Sequence, residues 1–226
     1  MFFDVGLILL IPVMIFAFWA QHRVKSTYNK YVTVASQRGV TGFQAARRVL
    51  DAAGLSSVTI GTTPGMLSDH YDPRKRALLL SEANYHGSSV AALGVACHEA
   101  GHALQHARGY VPLQIRQAIW PVTAFGSNLA MPLFFIGLIF SFPQLMDVGI
   151  VLFAIAAFFA LITLPVEFDA SARAIKSLTM HGIVAQGREE GQVRTVLNAA
   201  ALTYVAAALR AVAQLVRLLM LRNSRD

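Results

Sequence analysis

From Gln117 to Met146 the chain has no charged residue, and after a lone Asp147 it runs uncharged again from Val148 to Val166. A bilayer core asks for about 20 consecutive apolar residues in helical form, because lipid offers no partner to backbone N–H and C=O groups. The two stretches are therefore read as a hairpin of two membrane-spanning helices turning at Ser141-Phe142-Pro143-Gln144. A third apolar run, Val5 to Ala20, extended past Asp4 by Phe2 and Phe3, reads as a first span. The competing reading of that run is a cleaved secretory signal, but it has no basic n-region and Ala17-Phe18-Trp19-Ala20 is a poor cleavage site, which favours a retained anchor. A composition of 55% hydrophobic and only 14% charged residues agrees with membrane residence.

The charges then set an orientation. All 19 Lys and Arg fall in two blocks, between His22 and Arg116 and between Arg173 and Arg225. The positive-inside rule places both blocks in the cytoplasm and the N-terminus outside. The expected organisation is an N-terminal anchor over residues 1–22, a cytoplasmic segment over 23–117, a transmembrane hairpin over 118–166 and C-terminal helices over 167–226. The net charge of +7 is scattered, suits an anionic membrane surface and calls for no nucleic acid. One cysteine, Cys97, excludes an intramolecular disulfide, fits a reducing compartment and reads as a small buried packing residue.

Within the first basic block stands His98-Glu99-Ala100-Gly101-His102. On a helix, positions 98 and 102 lie one turn apart on one face, so both imidazoles can reach one ion at about 2.0–2.1 Å. Glu99, offset by about 100°, points at a metal-bound water rather than at the metal. Ser88 or Ser89 is expected to cap this helix and Gly109 to stop it. Read instead as satisfied core histidines, the motif would put two His and a Glu into a dry helix core at a cost and for no gain.

A catalytic zinc site takes three protein ligands and leaves one position open. His106 lies about 12 Å along the helix from His98, too far for one ion to bridge. The spacing that would supply a histidine at position 108 meets Arg108 instead. A second helix must provide the ligand, and Glu167 and Asp169, acids beside a membrane boundary, are costly unless paired or metal-bound. Glu167 is the expected ligand, with Asp169 holding an imidazole N–H or pairing with Arg173 one turn on.

Around these residues, Thr41 to Leu50 reads as a capped amphipathic helix and Ser57 to Ile60 as a short strand before the turn at Thr63-Pro64-Gly65. Asp72-Pro73 turns a β-hairpin that either offers its edge to an extended peptide or merely covers the metal helix. A helix starting at Leu164 should stop at His181-Gly182, and Val193 to Arg222 reads as one long helix. Its polar stripe of Arg210, Gln214 and Arg217 favours packing on the domain or lying in the membrane interface, the alternative being a fourth span with Arg210 inside it. The expected fold is α+β, mainly α-helical, with about three transmembrane helices and a zincin-like cytoplasmic domain built on the active-site helix and a small β-hairpin.

The H-E-x-x-H, the upstream Asp69-His70-Tyr71-Asp72-Pro73, the later Leu164-Pro165-Val166-Glu167-Phe168-Asp169-Ala170-Ser171 and the run Ala200 to Leu209 together resemble the bacterial membrane-bound neutral zinc metallopeptidases called YugP-like. The likeness runs from the first span to about Leu221. The plan is similar to that of the membrane proteases that include heat-shock and prenyl-protein processing enzymes, whose third ligand is the Glu of an E-x-x-A-D motif. Here Ser171 stands where that motif has Asp, which leaves Asp169 as the acid to replace it.

The resemblance implies one Zn²⁺ per chain, bound by His98, His102 and Glu167 in the membrane of a bacterial cell, and hydrolysis of peptide or protein substrates, membrane proteins among them. Glu99 is the general base. His70, Tyr71, Arg173, His181 and Tyr204 are the candidates to meet the substrate or the developing oxyanion. The competing classes are a metal-binding membrane scaffold without proteolytic activity and a metallohydrolase of a non-peptide substrate such as a lipid.

Overall fold

The computed structural model describes residues 5–224, so the expectations placed on Phe2, Phe3 and Asp4 lie outside them. Their backbone forms α1 (Val5–Tyr31), α2 (Gly42–Ala52), β1 (Thr59–Thr63), β2 (His70–Asp72), β3 (Ala77–Ser81), α3 (Glu82–His86), α4 (Val90–Ala107), α5 (Val111–Ile139), α6 (Pro143–Met180) and α7 (Arg188–Asn223). These divide into two compact units, which exchange the chain at residues 21/22, 113/114, 165/166 and 202/203.

The first unit comprises the chain up to Gln21, Gln114–Pro165 and the chain from Thr203 on. Its helices carry large apolar side chains outward, among them Phe18, Phe125 and Ile139, each more than 70% exposed. Such a surface suits contact with lipid. By length and composition, four helices among the described residues can cross a membrane: α1, α5, α6 and α7. That is one more than the three expected.

The extra candidate is α7. Its C-terminal half buries Leu218 with Phe134 of α5 and Met146 of α6. Gln214 Nε2 lies 3.5 Å from Met131 Sδ, and Arg222 Nε donates to Asp147 Oδ1 over 2.9 Å. Gln214, one of the polar side chains that argued for a surface helix, and Arg222 thus have partners on the hairpin. The hairpin itself turns where expected, with Ser141 at φ 52°. Its helices meet closely: a Cβ on Gly149 would lie 2.7 Å from the Ala130 carbonyl oxygen. Small residues permit this kind of backbone approach in lipid.

The second unit holds His22–Leu113 and Val166–Leu202. Thr41 caps α2 through a capping box with Gln44, and the helix buries Ala45, Ala46, Val49 and Leu50 in a core shared with Leu93, Ala96 and Cys97 of α4. The expected hairpin is present, β2 antiparallel to β3, with Asp72 Oδ1 accepting from the backbone N–H groups of Arg74 and Lys75 in the turn. It is part of a larger sheet, because β1 pairs in parallel with β3 and gives the order β1-β3-β2.

Between sheet and metal helix lies α3, which the sequence reading did not anticipate. Asp69 anchors it: its carboxylate accepts from Ser81 N and from Asn84 Nδ2, while Tyr28 Oη donates to Asn84 Oδ1. Two helices outrun their expected ends. α1 continues past residue 22 to Tyr31, and α6 passes through Pro165 and Glu167 as one helix rather than restarting at Leu164. It ends, as expected, before Gly182, whose φ of +58° suits glycine.

Candidate active site

Helix α4 begins at Ser89, whose side chain accepts from Ala92 N, and stops at Gly109 with φ +62°. These caps fix the phase that sets His98, Glu99 and His102 in one place. Their potential ligand atoms all lie within 4.8 Å of one another, and the two imidazole rings stand nearly perpendicular, at 85°.

Glu167 of α6, 2% exposed, faces them. Its Oε2 is 3.1 Å from His98 Nε2 and 3.6 Å from His102 Nε2. Two donors on one tetrahedral ion, each bound at about 2.0–2.1 Å, stand about 3.3 Å apart. The observed separations bracket that value, so the three side chains fit a single zinc. Their chemistry, two imidazoles and a carboxylate, is the donor set that zinc takes in hydrolytic sites.

Each histidine is held from behind. His98 Nδ1 lies 3.1 Å from Ser171 Oγ, and His102 Nδ1 lies 3.0 Å from Gln105 Oε1. Gln105 is wholly buried, and its Nε2 donates to Val166 O and to Asp169 Oδ2, each over 2.8 Å. Asp169 in turn pairs with Arg173, whose guanidinium lies over the Tyr110 ring. Of the two roles expected for Asp169, pairing with Arg173 is present; its link to an imidazole runs through Gln105 instead of being direct.

Glu99 is 9% exposed, and this burial pushes its carboxyl above the usual carboxylate range, with His102 and His98 pulling it back. A buried carboxylate with raised proton affinity suits a group that has to accept a proton and keep it briefly. Burial also pushes the Cys97 thiol far up, so Cys97 stays protonated as a packing residue.

The remaining sequence candidates are placed as follows. His70 is exposed and its Nδ1 lies 2.9 Å from Ser68 O. Tyr71 Oη lies 3.0 Å from Nδ1 of His106, which makes His106 a partnered residue at the end of α4. His181 is exposed just beyond α6, and Tyr204 belongs to α7 in the other unit. His70 and Tyr71 thus have their hydrogen-bond partners at Ser68 and His106. The sequence reading missed Gln105 and gave Ser171 no contact, although Gln105 is i+3 from His102 and Ser171 is i+4 from Glu167, spacings that share a helix face.

A His98-Glu99-His102 cluster, in a chain with four helices long and apolar enough to cross a membrane among the described residues, points to a membrane zinc metallopeptidase. The chain belongs to the family described as "Putative neutral zinc metallopeptidase", which it matches over residues 6–223. It is 48% identical over 211 residues to the "Putative membrane protease YugP" of Bacillus subtilis (strain 168), covering 93% of each chain. No solved structure matches it.

Proposed function

We propose that this protein is a membrane-bound zinc endopeptidase with its active site at the cytoplasmic face, in which His98, His102 and Glu167 hold one Zn²⁺ and Glu99 is the general base. The observation that carries this reading is the convergence of the two Nε2 atoms on Glu167 Oε2 at 3.1 and 3.6 Å. Bound there, zinc supplies a Lewis acid for the scissile carbonyl and a water acidified to a pKa of about 7. Glu99 takes the proton of the attacking water on a carboxylate oxygen and returns it to the leaving amine. Gln105 and Ser171 keep the two imidazoles aimed, and burial of Glu99 keeps bulk water from competing for the proton it carries.

The substrate is a peptide in extended form. Strand β2 supports this, because it stands at the edge of the sheet with only β3 beside it and packs against α4. An extended chain laid on that edge gains backbone hydrogen bonds independent of its sequence.

A fourth span takes Arg222 out of the cytoplasm, where its charge block had placed it, but gives it Asp147 as a partner. The Arg222–Asp147 pair, at the end of α7 and the start of α6, supports an α7 that returns across the bilayer to the level of the hairpin turn. With the site cytoplasmic, both termini then lie outside. Purified full-length protein in detergent, loaded with zinc, should cleave unfolded casein, stop on chelation and resume when zinc is restored. A wild-type protein that binds zinc stoichiometrically and leaves casein, membrane-protein and peptide substrates intact would remove the peptidase reading.

A further inference from the structure

Hydrolysis on two imidazoles requires each to present a bare Nε2, so each must carry its proton on Nδ1. For His98 the neighbour is a hydroxyl. Ser171 Oγ can donate or accept, so its 3.1 Å contact with His98 Nδ1 is compatible with either tautomer. For His102 the neighbour is an amide, and the orientation of that amide is forced.

The nitrogen of Gln105 lies 2.8 Å from two atoms that can only accept, the Val166 carbonyl oxygen and an oxygen of Asp169, which is ion-paired to Arg173. Turning the amide over would set its carbonyl oxygen against both, inside a site where Gln105 is fully buried. Such an arrangement leaves acceptors facing acceptors without water. Oε1 is therefore the atom that meets His102 at 3.0 Å, and it can only accept.

We infer that Gln105 is a positioning residue that locks His102 with its proton on Nδ1 and its Nε2 lone pair toward Glu167 and the ion, with Asp169 and Arg173 serving to hold the amide in that sense. The inference rests on the zinc reading above and deepens it. It also gives Asp169 and Arg173 a part that needs neither of them to touch zinc or substrate. The two histidines differ accordingly: His102 is set for metal before metal arrives, whereas His98 is free to adjust its tautomer as the ion binds.

The test compares Gln105→Met with Gln105→Glu in the full-length protein, reading zinc affinity by competition with a chelating dye and the coordination geometry by the absorption spectrum of the cobalt form. Gln105→Met matches the shape and removes the acceptor. Gln105→Glu, taken up as the neutral acid in this buried place beside Asp169, keeps an acceptor for His102 and an O–H to donate to Asp169. Under the inference, Gln105→Met binds zinc about 10–100-fold more weakly with an altered cobalt spectrum. Gln105→Glu retains wild-type affinity and spectrum.

Equal affinity of Gln105→Met and wild type overturns the inference. So does an equal weakening of both variants, since that is the result expected if the contact to Val166, which both lose, is what matters. If Gln105→Met does not fold, Gln105→Glu decides, wild-type affinity supporting the lock and a loss of tenfold or more overturning it. Failure of both to fold assigns Gln105 to packing and also overturns it. A wild-type protein without zinc affinity removes the functional reading itself, an outcome distinct from any of these.

Discussion

Gly101 of α4 lies directly on the backbone of Ala170 of α6: a Cβ placed on Gly101 would stand 2.6 Å from the Ala170 carbonyl oxygen. The glycine inside the H-E-x-x-H is therefore what lets α6 come near enough for Glu167 to reach the two histidines. Gly101→Ala has to push the helices apart, and overpacking of this kind costs about 1–3 kcal/mol. We expect a lowered Tm and zinc binding weakened beyond what the stability loss accounts for. Thermal unfolding and zinc titration of the same preparation check both, and unchanged zinc affinity would show that the α4–α6 contact does not govern the site.

On the proposed assignment Glu99 handles protons rather than metal, so Glu99→Gln should keep stoichiometric zinc while kcat falls by about 10²–10⁴-fold. Metal analysis alongside casein cleavage separates the two effects. A Glu99→Gln protein that cleaves at the wild-type rate would refute the assignment.

The ligand assignment sorts the histidines. His102→Ala and Glu167→Ala should each abolish stoichiometric zinc, whereas His106→Ala, which removes only the partner of Tyr71, should retain it. Bound zinc measured after dialysis gives the answer, and loss of metal in His106→Ala equal to that in His102→Ala would contradict it.

Ser171 holds His98 where the wider motif has an acid. Ser171→Ala should weaken zinc by about 10-fold or more, within the range for lost partners of metal-bound histidines. Ser171→Asp should restore or exceed wild-type affinity, and dye competition distinguishes them.

Four spans place the two ends of α7 on opposite sides of the bilayer. In a Cys97→Ala background, an impermeant thiol reagent added to intact cells or spheroplasts should label Ser224→Cys and reach Gln186→Cys only after the membrane is opened. Both positions are exposed, so access is set by the membrane. Labelling of neither position in intact cells would favour an α7 that stays on the cytoplasmic side.

The features legible in the sequence were those signalled locally. Ser89 and Gly109 bracket α4, Thr41 and Gln44 form a capping box, and Glu167 stands out as an acid at the end of an apolar run. Other features depend on partners distant in the chain. The stripe on α7 argued against a span because Met131, which receives Gln214, lies more than 70 residues upstream, as does Asp147, the partner of Arg222. The parallel pairing of β1 with β3 crosses over β2 and leaves no periodic trace. Gln105 escaped notice because a neutral amide in an apolar helix carries no charge cost to flag it, and its importance arises only from Val166 and Asp169 on another helix.

His98 and His102 precede the hairpin of α5 and α6 in the chain, and Glu167 follows most of it. A ribosome-bound chain thus has two of the three ligands in hand while the last is still to come, on the far side of a segment that must first cross the bilayer and return. On the proposed ligand set, full zinc affinity should therefore wait on insertion of the hairpin.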